Sequence, residues 1–189
     1  MSELLDLLAR VFTRPPWYYL AWPAVAMIVG TMIGMISTQG AARLALVPRK
    51  IGGLLGIVTA PFIHANLAHF AANLPPFLVL GALLLQRDES AFLRIAATIA
   101  LAQGVLLWLF GRKAAHVGMS GVIFGFFGYL LALAWYTQAT SDLLAAGVVI
   151  LFYGGMLAGV APTRSGTSWD GHLFGLVAGL TTAWFHYRR

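Results

Sequence analysis

The stretch from residue 118 to residue 138 reads GMSGVIFGFFGYLLALAWYTQ and contains no charged residue. A helix that spans a bilayer needs about 20 mostly apolar residues, so this stretch is long enough to cross. Small residues recur every three or four positions and share one helix face: Gly121, Gly125, Gly128 and Ala132. Such a face lets two helix backbones approach closely. The stretch therefore predicts a membrane-spanning helix with a tightly packed neighbour.

The composition of the whole chain agrees with a membrane protein. Of 189 residues, 60% are hydrophobic and 10% are charged, whereas a soluble domain is roughly 45–50% apolar and about 25% charged. An ordinary soluble domain and a disordered chain are both excluded. The absence of cysteine excludes disulfides, thiolate metal sites and cysteine nucleophiles. The net charge of +6 comes from scattered basic residues, which indicates interfacial anchors and no nucleic-acid surface.

Apolar runs of spanning length occur six times, and charged or polar connections separate them. The sequence therefore predicts an all-α membrane protein, a bundle of six transmembrane helices. Residues 1–16 are predicted to form a short amphipathic segment, and residues 17–189 to form the membrane domain. The basic residues divide equally between the two sides, so the positive-inside rule assigns no orientation. The six predicted spans are residues 17–37, 67–85, 92–110, 118–138, 143–160 and 169–187.

Polar residues enter three of these spans, where an unpaired polar group is costly and indicates function. They lie in the segments 64–73, 116–121 and 168–172. Even-numbered spans all start from the same side of the membrane. His69, Ser120 and His172 are therefore predicted to lie near one face at comparable depth, which is the composition of a nucleophilic site.

The glycines indicate which helices touch. The sixth span carries Gly171, Gly175 and Gly179 at intervals of four, and this face matches that of the fourth span. If the two faces pack, the hydroxyl of Ser120 and the ring of His172 come within hydrogen-bond reach. A serine needs a base to take its proton, and histidine has a suitable pKa range.

Hydrogen-bond donors accompany the serine. His69 and Asn73 are four residues apart, so they share a helix face, and both can donate. Acyl transfer needs donors aimed at the developing oxyanion. The backbone N–H of Ser120, at a helix start, is a third donor.

Three motifs, in this order, resemble those of the rhomboid family of intramembrane serine proteases, and the likeness extends over residues 55–185. The first is His-x4-His-x3-Asn, formed by His64, His69 and Asn73. The second is Gly-x-Ser-Gly, formed by Gly118, Ser120 and Gly121. The third is Gly-His-x2-Gly-x3-Gly, formed by Gly171, His172, Gly175 and Gly179.

The resemblance implies a protease that cuts peptide bonds in or near transmembrane segments of membrane protein substrates. It implies a dyad of Ser120 and His172, with an oxyanion site formed by His69, Asn73 and the Ser120 amide. Phe124 falls where the family often has an aromatic ring packed on the histidine. No cofactor or metal is implied, and the expected location is a bacterial cytoplasmic membrane.

Several residues have competing interpretations. His64 is expected to be structural and to tie a loop to a helix. His116 is a rival base, but it shares a face with Ser120 only if the helix extends back through Gly118. Asp170 is two residues from His172 and is expected to cap the sixth span, which leaves a dyad without a third member.

Two other functions remain as alternatives, and a third is disfavoured. One is a non-proteolytic rhomboid-like protein that binds client membrane proteins. Another is a di-haem membrane cytochrome, which needs facing pairs of histidines and gives Ser120 no role. A zinc protease is disfavoured because the chain has no His-Glu-x-x-His.

Overall fold

The computed structural model describes residues 16–162 and 168–188. The predicted amphipathic segment, except Pro16, lies outside these ranges. The described residues fold into helices, with one isolated antiparallel bridge between Leu46 and His116. The α-helices are α1 (Tyr18–Ile36), α2 (Thr38–Leu44), α3 (Gly56–Thr59), α4 (Leu67–Arg87), α5 (Glu89–Phe110), α6 (Ser120–Thr137), α7 (Thr140–Tyr153) and α8 (Trp169–Tyr187). Short 3-10 segments cover Ile51–Gly53, Ala60–Phe62 and Gly154–Val160.

The all-helical prediction is confirmed for the described residues, but the count of six spans is not. Five described helices are long and apolar enough to cross a membrane: α1, α4, α5, α6, and α7 together with its 3-10 continuation. Helix α8 has the bounds of the predicted sixth span but is not among the five. Asp170, His172 and His186 lower its hydropathy. The polar residues that are candidates for function in α8 are therefore among those that lower its hydropathy.

Helix α6 lies at the centre of the molecule. Of its 18 residues 67% are buried, against 11% for an 18-residue stretch within Thr140–Val160. A helix that is apolar on every face has no side suited to water, so burial among other helices is its expected fate. Its aromatic residues Phe126, Phe127 and Tyr129 are almost fully buried and form much of the core.

The glycine faces of α6 and α8 pack directly against each other. A Cβ atom added at Gly175 would overlap the carbonyl oxygen of Gly121, and one added at Gly179 would overlap that of Gly125. The two backbones therefore touch without side chains between them. Gly171 lies outside this contact, because its missing side chain faces Ser168 and Leu107.

The connection between α1 and α4 is folded, although the sequence predicted only a loop there. It contains α2, α3 and two 3-10 turns. The hydroxyl of Thr59 donates to the carbonyl of Leu44 at 2.7 Å, and Gly104 of α5 leaves room for Ile57 to approach. These contacts hold the connection against the bundle beside the start of α4.

Candidate active site

Ser120 and His172 come together at the α6–α8 contact. Ser120 is the first residue of α6, and His172 lies one turn into α8. The Oγ of Ser120 is 3.0 Å from the Nε2 of His172, although 52 residues separate them along the chain. Both side chains are half-buried. Gly121 is next to Ser120, and Gly175 lies one turn after His172. The close approach of the two backbones at these glycines sets the distance between the two side chains.

The remaining contacts of the His172 ring fix its orientation. The ring of Phe124 stacks on it with 4.3 Å between centroids and 10° between planes. The Nδ1 atom lies 2.9 Å from the carbonyl oxygen of Gly159. Because a carbonyl only accepts, Nδ1 carries the proton in this bond, and Nε2 of the neutral ring is free to accept from the Ser120 hydroxyl.

The turn before Ser120 brings His69 to the site. Gly118 has φ +109°, a conformation that side chains rarely adopt. A Cβ atom added there would also lie 2.7 Å from the Cε1 and Nε2 atoms of the His69 ring. Gly118 is therefore required twice, for its backbone angle and for the space that the imidazole occupies. The His69 ring consequently lies against the turn at Gly118, two residues before the serine.

The start of α4 explains how His69 and Asn73 are held. Asn66 is the N-cap, and its side chain accepts from the His69 amide at 2.8 Å. Asn73 lies one turn further along α4 and is buried. Its Nδ2 donates to the His69 carbonyl at 2.8 Å, while its Oδ1 has no hydrogen-bond partner among the described residues. The second N–H of this amide is the one that a substrate could use.

His64 lies in the loop before α4 and is fully buried. Its Nδ1 is 3.3 Å from the Oγ1 of Thr31 in α1, and its ring packs edge-on against those of His69 and Phe70. Burial lowers the pKa of the His64 imidazole to about 4, and the neighbouring His69 adds to the effect. The ring therefore stays neutral near pH 7 and connects the loop to α1.

A second polar cluster, which the sequence interpretation missed, lies beside the start of α8. The carboxylate of Asp170 accepts from the Arg112 amide at 2.8 Å and forms an ion pair with its guanidinium at 3.2 Å. The ring of His116 bonds to Ser168 at 2.6 Å and to the Arg112 carbonyl at 3.1 Å. His116 thus has partners of its own, outside α6. No spacing in the sequence indicates a contact across 58 residues, although the acidic Asp170 inside a predicted span was a signal.

The Asp170 contacts also bear on its expected role as a helix cap. The N-cap position of α8 is Ser168, so Asp170 is not the cap; it lies in the first turn and contacts Arg112, Ser168 and, at 3.8 Å, His116. It joins the α5–α6 connection to α8. A cavity of about 20 Å³ lies next to this cluster, lined among others by His116, Ser120 and Ser168. That volume is sufficient for a water molecule.

The described residues contain no group of three or more His, Cys, Asp or Glu side chains that could hold a metal ion. Nε2 of His172 faces the Ser120 hydroxyl, and Nδ1 faces the Gly159 carbonyl. The arrangement is instead suited to moving a proton between a hydroxyl and an imidazole.

Comparison with known proteins identifies the family. The Rhomboid domain model matches residues 52–189. An uncharacterised protein of Mycobacterium tuberculosis is 38% identical over 146 residues, which cover 72% of this chain and 61% of that protein. An uncharacterised protein of Mycobacterium leprae is 38% identical over 145 residues, or 71% and 57% of the two chains. Rhomboid-like protein 11, chloroplastic, of Arabidopsis thaliana is 30% identical over 142 residues, or 67% and 50%.

The chain spans about three fifths of the length of the mycobacterial relatives that it matches. The domain match covers well over half of this chain and includes all three motifs that carried the resemblance. The chain belongs to the rhomboid family.

Proposed function

We propose that the protein is an intramembrane serine endopeptidase, which hydrolyses peptide bonds in or near the transmembrane segments of membrane proteins. The observation that carries this proposal is the 3.0 Å contact between Ser120 Oγ and His172 Nε2. It lies within the range that direct proton transfer requires. The bond from Nδ1 to Gly159 supports it further, because it leaves Nε2 as the acceptor.

In the proposed reaction the Ser120 hydroxyl attacks the scissile carbonyl, and its proton passes to Nε2 of His172. The imidazolium returns that proton to the leaving amine, which departs as the C–N bond breaks. A water molecule then gives a proton to Nε2 and its oxygen attacks the acyl carbon. His172 finally protonates the Ser120 oxygen as the acid product leaves. The cavity beside Ser120, with room for one water molecule, supports this second half.

The oxyanion is proposed to be held by the Ser120 amide, His69 and Asn73. The amide is one of the first N–H groups of α6, which have no partner within the helix. His69 is brought to the turn at Gly118, and Asn73 has an N–H available one turn away on the same face of α4. Each donor of this kind contributes roughly 3–4 kcal/mol to catalysis.

The proposed setting is a six-span bundle in a bacterial cytoplasmic membrane, with α8 as the sixth span. Supporting this, α8 has 19 residues and packs against the central helix α6, and its Asp170 is buried away from lipid. The match to mycobacterial proteins supports a bacterial location. The proposed partners are transmembrane protein substrates and the lipid bilayer.

The test is a cleavage assay on a model transmembrane substrate in proteoliposomes, comparing the wild type with Ser120→Ala. We expect cleavage by the wild type only, together with labelling of Ser120 by a serine-reactive phosphonate. A wild type that binds the substrate but neither cleaves it nor takes the label would instead support the non-proteolytic client-binding role.

A further inference from the structure

The Nδ1 atom of His172 has a partner that the sequence did not predict. We propose that the backbone carbonyl of Gly159, which belongs to the 3-10 segment Gly154–Val160, is the positioning group for this histidine. The inference rests on the proposed function for its catalytic meaning. Its structural basis is the 2.9 Å distance between His172 Nδ1 and the Gly159 oxygen.

A serine–histidine pair needs an acceptor on the second nitrogen of the ring. That acceptor keeps the proton on Nδ1, leaves Nε2 free, and stabilises the imidazolium that forms when Nε2 takes the serine's proton. The nearest carboxylate along the chain, Asp170, is directed to Arg112. A peptide carbonyl supplies the same acceptor without a formal charge, which suits a half-buried site.

Gly159 packs closely against both His172 and Phe124. A Cβ atom added at this position would lie 3.0 Å from His172 Nδ1 and 3.2 Å from Phe124 Cζ. The imidazole is therefore enclosed by the ring of Phe124 and the backbone of Gly159, and a side chain at 159 would have to push one of them away. Among the described glycines only Gly118 has a positive φ, so alanine at 159 fits the backbone angle and changes the contact alone.

The segment that carries Gly159 is loosely attached to the rest of the bundle. It continues α7, whose outward residues Leu144, Leu151 and Phe152 are largely exposed, and none of the residues Gly154–Val160 is buried. The far end of α7 is held by the ion pair between Arg87 and Asp142 at 2.7 Å. Any shift of the Gly159 end away from α8 removes the acceptor from Nδ1. The proposed proton transfer between Ser120 and His172 thus depends on the position of this segment relative to α8.

Gly155→Ala is the matched control, because Gly155 belongs to the same 3-10 segment and an added Cβ there meets nothing within 4 Å. We expect Gly159→Ala to cleave the model substrate about tenfold more slowly, since misplacement by tenths of an ångström costs less than the roughly hundredfold of a full ångström. Gly155→Ala should cleave like the wild type. Equal rates for the two variants, both folded, would overturn the inference.

A second measurement does not depend on proteolysis. The protein is labelled with ¹⁵N-histidine, and the His172 signals are assigned by their loss in His172→Gln. We expect the neutral His172 ring of the wild type to carry its proton on Nδ1, and Gly159→Ala to lose part of that population while Gly155→Ala keeps it. A wild-type ring protonated on Nε2 would overturn the inference.

The two measurements separate the inference from the proposed function. A wild type with the Nδ1 proton but without cleavage or phosphonate labelling would refute the protease and still support the role of Gly159 in orienting the ring. A wild type that cleaves but carries the proton on Nε2 would leave the protease standing and refute the role of Gly159.

Discussion

The two helices that flank the site's histidine are packed in opposite ways. Helix α6 meets α8 backbone to backbone at Gly121 and Gly125, and two thirds of its window, 67%, is buried. The segment Thr140–Val160 touches the same histidine through one carbonyl, and 11% of an 18-residue stretch within it is buried. The atoms proposed to react thus lie at the tightly packed contact, and the group proposed to orient the imidazole lies on the loosely packed segment.

This difference separates two requirements of the proposed chemistry. The distance between Ser120 and His172 is set by helix backbones that cannot shift independently, because well-packed interiors resist displacement. The hydrogen bond of His172 Nδ1 depends on a segment with few buried contacts, and such regions open at low free-energy cost. Tight packing fixes the distance between Ser120 and His172, and loose packing allows the orientation of the His172 ring to change.

The largest expected effect comes from adding one carbon to the tight contact. Gly175→Ala would place a Cβ against the Gly121 backbone, which cannot yield as a flexible side chain can. Moving the helices apart by about 1 Å should slow cleavage roughly a hundredfold. The matched change on the loose helix is Gly147→Ala, where the added carbon meets nothing within 4 Å and the rate should be unchanged. Cleavage rates per folded molecule give the answer, and similar losses in both variants would remove the distinction between the helices.

A smaller effect is expected where α7 is anchored. Asp142 is buried, and its carboxylate accepts from Arg87 at 2.7 Å and from the Thr137 hydroxyl at 2.6 Å. Asp142→Asn weakens bonds to a charged group and should lower the free energy of unfolding by about 1–2 kcal/mol. Cleavage should change less than about threefold, because the site lies at the other end of α7.

The comparison is thermal unfolding in detergent of Asp142→Asn against Glu89→Gln, which removes an exposed carboxylate. An unchanged melting temperature in Asp142→Asn would show that this ion pair does not anchor α7. A complete loss of cleavage in a folded variant would show that the start of α7 acts on the site directly.

The smallest effect concerns the buried histidine in the loop before α4 and is measured as a function of pH. Burial holds the pKa of His64 at about 4, below the ordinary value of about 6.5. A histidine with a depressed pKa in the folded state contributes stability that is present above pH 6.5 and is lost as the pH falls toward 4. His64→Gln should therefore flatten the acid side of the stability profile between pH 6.5 and 4. Parallel profiles for the wild type and the variant would contradict a buried neutral imidazole.

Periodicity and motif spacing were sufficient to predict the main helices and the approach of Ser120 to His172. Glycines spaced four residues apart occur in both the predicted fourth span and the predicted sixth span. In the structure they pair as Gly121 with Gly175 and Gly125 with Gly179, because only hydrogen atoms occupy the contact. The helices between α1 and α4 were not predicted, since four- to seven-residue helices give no usable periodicity.

The partner of His172 could not be predicted for a different reason. The acceptor is a backbone atom of Gly159, and every residue carries such an atom, so no residue type marks it. The Asp170–Arg112 pair depends on how the α5–α6 connection folds back on α8, which spacing does not reveal. Sequence thus indicates side chains that do chemistry, and it does not indicate the backbone that orients them.

The most direct test of the central claim is a double-mutant comparison of Ser120→Ala, His172→Ala and the combined variant in the cleavage assay. If the two residues act as one unit, each single variant should fall to the same residual rate, and the double variant should be no slower than either. All three should remain folded. Substantial cleavage by Ser120→Ala, or a double variant slower than both single ones by the product of their losses, would contradict the dyad.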